Sequence, residues 1–205
     1  MYRSRYWPCA LLMVSIALCT TPLLMADTVK QLNLAEMVQR ADKIYRATVV
    51  SSQEGTIQAG GGQLPVVTYR LQVEETFRGD IPAVKGVRIA EIRMLGKMKS
   101  ARQGNLQLMS ALPKMPQLTI GQTYLVFETR PSRIGLSTTV GLGQGSFRIL
   151  QRGKEELAVN EVNNRGLFRD MDTSTRRSSA ASSTPSSGPI AYQELARQIR
   201  AQLGN

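Results

Sequence analysis

A run of cations is the chemistry-bearing feature of this 205-residue chain. Between positions 85 and 114 lie Lys85, Arg88, Arg93, Lys97, Lys99, Arg102 and Lys114, opposed by Glu91 alone. That density raises the local positive potential and favours capture of an anionic partner. Met94, Met98 and Met109 are interspersed, with Met115 just beyond, and unbranched thioethers beside cations suit an adaptable contact surface. The same stretch also reads as a solvated loop with its methionines folded back onto a core, and both readings stand at this level. No aromatic residue is interleaved, which disfavours single-stranded nucleic acid as the partner.

Other chemistries are largely excluded. The chain has no histidine, and its two cysteines, Cys9 and Cys19, lie within the first 26 residues. A chain processed after Ala26 therefore has no thiol, no disulfide, no nitrogen–sulfur zinc site and no Ser-His or Cys-His pair. A serine–lysine pair would need Ser-x-x-Lys, and that spacing does not occur. Carboxylates remain, yet Glu74 and Glu75 are neighbours on a strand pattern and point to opposite faces. Glu155-Glu156 reads as a solvated turn. The Gly141–Gly145 run, GLGQG, invites a phosphate-loop reading, but Ser146-Phe147-Arg148-Ile149 continues it as strand rather than helix. A bulge or a close approach of two backbones is the better account. No catalytic residue, metal or cofactor is implied.

Residues 1–26 have the form of an export signal: Arg3 and Arg5, an apolar core, and Met25-Ala26 before Asp27. Trp7 to Ala26 is also long enough to span a bilayer, although Pro8, Pro22 and Cys19-Thr20-Thr21 interrupt it. Cleavage would place the protein in the periplasm or outside the cell. The formal charge is +11, and without Arg3 and Arg5 it is about +9. A basic surface in that compartment meets an acidic protein, an acidic glycan or an anionic membrane surface.

The elements that must position the cations follow from periodicity. Asn33 and Glu36 have capping-box spacing, and Leu34, Met37, Val38 and Ala41 line one face of a two-turn helix. Tyr45, Ala47 and Val49 then alternate as a strand. Gly55 and Gly60-Gly61-Gly62 predict a flexible loop. Val67, Tyr69, Leu71, Val73 and Phe77 predict one face of the next strand, and Val84 to Met94 a third. In that third strand Arg88, between Val87 and Ile89, is expected to face solvent. Residues 95–117 read as a long loop, Tyr124 to Thr129 as a strand, Ile134 to Leu150 as a Gly-interrupted strand or pair of strands, Leu157 to Val162 as the last strand, and Asn163-Asn164-Arg165-Gly166 as a turn. Residues 171–189 read as a disordered Ser/Thr-rich linker and 190–205 as an amphipathic helix bearing Tyr192, Leu195, Ala196, Ile199 and Leu203.

The predicted fold is mainly β: a small OB-like antiparallel barrel of five to six strands over 27–170, with a short N-terminal helix plugging one end and a tethered C-terminal helix. A sandwich is the alternative. The stretches "RADKIYRATVV", the Tyr-x-Leu-x-Val-x-Glu strand, "FRGD" and "VGLGQGSFRI" resemble those of small exported bacterial proteins of uncharacterised function. More distantly, "ADKIYRATVV" resembles the first strand of the netrin-like module of tissue inhibitors of metalloproteinases, which implies an OB-type barrel. Those inhibitors use an N-terminal cysteine and disulfides, which the processed chain lacks. The expected function is an exported, non-catalytic binding module. The second expectation is a protease-inhibitor-like partner of an extracytoplasmic enzyme.

Overall fold

The computed structural model describes residues 30–97, 101–103, 106–108, 115–170 and 187–204. The expected export signal, Lys99, Lys114 and most of the expected linker lie outside them. Helix α1 (Leu34–Arg40) begins as its sequence dictates: Asn33 Oδ1 accepts from the Glu36 amide at 2.9 Å, and Glu36 Oε2 accepts from the Asn33 amide at 3.0 Å. Strands β1 (Lys43–Ala59) and β2 (Gly62–Arg78) follow as a long antiparallel ribbon. The predicted loop at Gly55–Gly62 is therefore strand up to a two-residue turn at Gly60-Gly61.

Next come β3 (Ala83–Val84) and β4 (Val87–Leu95), then a separate hairpin of β5 (Ala101–Gln103) and β6 (Leu106–Leu108) inside the expected long loop. Strands β7 (Thr123–Glu128), β8 (Ser146–Arg152), β9 (Glu155–Val159) and β10 (Ile190–Ala191) lead into helix α2 (Tyr192–Leu203). The main sheet has eight strands in the order β10-β9-β8-β7-β1-β2-β4-β3.

That sheet corrects the predicted barrel in two respects. It has eight strands instead of five to six, because the two-residue β3 and β10 extend its edges. The sheet is also open, because β10 and β3 do not pair with each other. Both edges are short, which limits edge-to-edge association. The N-terminal helix accordingly covers a face instead of plugging a barrel end.

Two buried clusters lie on opposite faces. Ile44, Leu125 and Phe127 belong to the first, and their chain neighbours Tyr45, Tyr124 and Val126 to the second. Successive strand residues alternate sides, so the clusters are separated by the sheet itself. The first is roofed by α1 and α2, with Leu34, Met37, Leu195 and Ile199 fully buried against Phe127 and Phe147. The second lies over β1, β2, β4 and β7 and is covered by Ile81 and Leu118 from connecting segments.

A β-bulge moves β2 from one core to the other. Ala47 pairs with Val73 and Arg46 with Glu75, leaving Glu74 as an extra residue. The bulge reverses the inside–outside alternation beyond it. Tyr69, Leu71 and Val73 thus pack in the second cluster while Phe77 packs against the first, a correction to the single face read from the pattern.

Candidate functional site

The described members of the expected cationic patch occupy different places. Lys85 sits exposed in the β3–β4 turn. Arg88 does not face solvent as predicted: it shares the strand parity of buried Ala90, Ile92 and Met94, while Val87 is 43 % exposed. Its guanidinium donates to Thr76 Oγ1 at 3.3 Å and to the Glu74 carbonyl at 3.2 Å. The pairing register decides this, since Ala90 lies opposite inward-facing Leu71. Arg93 is on the other face, donating to Thr68 Oγ1 and Glu91 Oε1, each at 3.3 Å. Lys97 is exposed beyond the end of β4. Arg102 lies in β5.

Lys97 borders a groove of about 860 Å³. Its floor is the distal extension of the second core across β1, β2 and β4, with Val67, Tyr69 and Met94, and its far wall is the segment Met115–Ile120. Glu54 contributes a carboxylate to the lining. Burial raises the Tyr69 hydroxyl pKa, opposed by its hydrogen bond to the Leu118 backbone. That contact ties the wall to the floor. The patch and the groove therefore meet at Lys97.

A second polar assembly was not foreseen. Arg46 donates from Nη1 and Nη2 to the two carboxylate oxygens of Glu156, both at 2.7 Å, and from Nε to Glu74 Oε2 at 2.8 Å. Its guanidinium also lies 4.6 Å from the Tyr192 ring centroid, a cation–π distance. Glu75 accepts from Tyr192 Oη and from Arg200, so the bulge at Glu74 sends adjacent carboxylates to different partners around one arginine. The Arg46 hydrogen bonds hold the Glu156 carboxyl below the usual carboxylate range. Burial, then the hydrogen bond to Glu75, raises the Tyr192 hydroxyl. Every member carries an opposite charge or hydrogen-bond partner, which suits a clasp between α2 and the sheet. Glu156 is thus an ion-pair partner on β9, not a solvated turn residue.

The GLGQG run is explained by close packing. A Cβ on Gly143 would come within 2.2 Å of the Glu161 carboxylate, and one on Gly145 within 2.4 Å of the Val140 carbonyl. Buried Gln144 accepts from the Leu32 amide at 2.8 Å and donates to the Lys30 carbonyl at 3.0 Å. The run is a single 3-10 turn that anchors the approach to α1, consistent with the close-approach reading. The backbone amides of Asn160 and Asn164 each donate to the other's side-chain Oδ1 beside it, and Asn164 Nδ2 donates to the Gly188 carbonyl ahead of β10.

One carboxyl is buried on the second face. Glu128 is 1 % exposed and accepts from Tyr45 Oη at 2.9 Å. Burial pushes its pKa up, opposed by the Tyr45 hydrogen bond. Among the described residues, no group of three or more His, Cys, Asp or Glu is placed to hold a metal, and no helix is long and apolar enough to cross a membrane. No family model matches the chain, and no curated protein matches it.

Proposed function

We propose that the protein is an exported, non-catalytic binding module whose cationic strand-and-loop region, 85–114, engages an acidic protein, an acidic glycan or an anionic membrane surface. The observation that carries the reading is the groove at Lys97: the cation-rich segment leaves the sheet at one wall and returns at Met115 in the other. A concave, largely apolar floor bordered by a cation-rich segment fits recognition of an anion-bearing partner. The OB-like relation belongs to the same reading, supported by six long strands with β1 paired to both β2 and β7. Replacing Lys97, Lys99 and Arg102 together by Gln should lower retention on immobilised heparin, with an effect of about tenfold at low salt. The control is the same change at Arg165, Arg169 and Arg176. Equal losses in both triples would assign binding to net charge alone and sink the localised site.

A second reading, a protease-inhibitor-like partner, draws on the β1–β2 ribbon. Strand β1 pairs with β7 only from Lys43 to Thr48, so its outer edge beyond Ser51 has no strand partner among the described residues. Such a ribbon suits insertion into an enzyme cleft. Complex formation insensitive to salt would favour it over the electrostatic module.

A further inference from the structure

Between buried Ile81 and buried Ala90 the chain makes a projecting hairpin. Every residue from Pro82 to Val87 is exposed, and a Cβ built on Gly86 would meet no atom within 4 Å. Lys85 and Gly86 have φ of 52° and 79°, the left-handed pair of a type I′ turn. The first position of such a turn ordinarily takes Asn, Asp or Gly, whose side chains tolerate that region. Here it holds lysine. A mildly strained, exposed lysine in the turn of a projecting hairpin is an outlier that points to use.

Val84 and Val87 flank the turn as register partners and are 69 % and 43 % exposed. The other exposed large apolar residues among those described, Val50, Ile120, Ile134 and Val162, have no such partner among themselves. Scattered single residues need no explanation, whereas an apolar pair displayed across a turn does. The base of the hairpin is braced, because Arg88 is tied to Thr76 and to the Glu74 carbonyl. Asp80 is the acid nearest the tip on its N-terminal side.

We propose that this tip is a contact for an anionic lipid surface, with Val84 and Val87 entering the headgroup–acyl boundary and Lys85 reaching lipid phosphate. The inference rests on the binding-module reading and names lipid as its anionic partner. Three side chains are too few for a protein interface, which needs roughly 1,000 Å². They suffice for shallow, reversible insertion when long-range attraction delivers the molecule, and the positive formal charge, +11 for the full chain and about +9 without Arg3 and Arg5, supplies that attraction. A lysine between apolar residues is also suited to extend its ammonium back toward the headgroups.

The test uses protein recovered after export, wild type and variants in the same form. Sedimentation with vesicles of equal parts phosphatidylglycerol and phosphatidylcholine is compared with phosphatidylcholine alone. Wild type should sediment only with the anionic vesicles, and less as salt rises. V84S/V87S should lower partitioning about tenfold through lost apolar burial, and K85Q about fivefold through one lost cation. Both residues of the pair are exposed, so V84S/V87S should keep the wild-type Tm and wild-type retention on heparin. V84W should bind more tightly, with a blue shift in tryptophan emission on anionic vesicles. Partitioning of V84S/V87S equal to wild type, or no blue shift for V84W, overturns the proposal. Wild type that is held by heparin but ignores vesicles also overturns it while leaving the binding-module reading intact. Failure on both surfaces removes both.

Discussion

The two faces of the sheet bury similar side chains under different roofs. Over β7, β8 and β9 the cover is α1 and α2, and the charged groups nearby are paired: Arg46 with Glu156 and Glu74, and Arg200 with Glu75. Over β1, β2 and β4 the cover is two connecting segments, and the buried ionisable group, Glu128, has a phenol as partner instead of a cation. A carboxylate beside arginine is favoured charged, whereas one buried with a tyrosine is favoured protonated. The faces should therefore respond to pH with opposite sign, although they share β1 and β7.

The comparison breaks most visibly at the helix roof. Leu195→Ala should cost about 3 kcal/mol, because the side chain is fully buried and α2 closes the first core. Urea unfolding followed by circular dichroism should stay a single transition, since both cores share two strands. A separate early transition for the helical signal would show that the faces are independent units.

Arg46→Met comes next, at about 2 kcal/mol, less than for a fully buried pair because Glu156 and Glu74 keep 31 % and 40 % of their side-chain exposure. The folded Glu156 pKa is lowered, so its pairing stabilises above the ordinary carboxylate range and is lost as pH falls through the folded value. The difference from wild type should shrink in acid. A pH-independent difference would assign the effect to packing on Tyr192.

Glu128→Gln should give the smallest change at neutral pH, and the opposite trend. The folded Glu128 pKa is raised, so its contribution is full below the ordinary carboxylate range and is lost as pH rises through the folded value. A glutamine still accepts from Tyr45 and has no charge to bury. The variant's Tm relative to wild type should climb with pH, and a flat difference would mean that Glu128 is not titrating.

Local features were legible in the sequence. The capping box at Asn33, the face of α2 and the Asn163-Asn164 turn each depend on residues a few positions apart. The Arg46 clasp was not legible, because it joins β1, the β2 bulge, β9 and α2. Nothing in alternating apolar residues marks Glu74 as the bulged position, and one extra residue is enough to send Phe77 to the other core. Arg88 was misread for a related reason: exposed Val87 belongs to the projecting tip, so its apolar character does not mark the inward face. The distal ribbon was hidden by its glycines, which pairing with the opposite strand overrides.

The separation of the cores also sets an order in time. The second core is complete once the chain has been supplied as far as Val126, and the β1–β2 ribbon at its centre is built from contacts close in sequence. The first core cannot close until Ile199 arrives, so Leu125, Phe127, Phe147 and Ile149 have α1 above them but wait without α2 while the intervening residues emerge. During that interval a folded half-sheet carries a partly uncovered apolar surface on its reverse side, the state in which a chain of this architecture is most exposed to aggregation and to proteolysis.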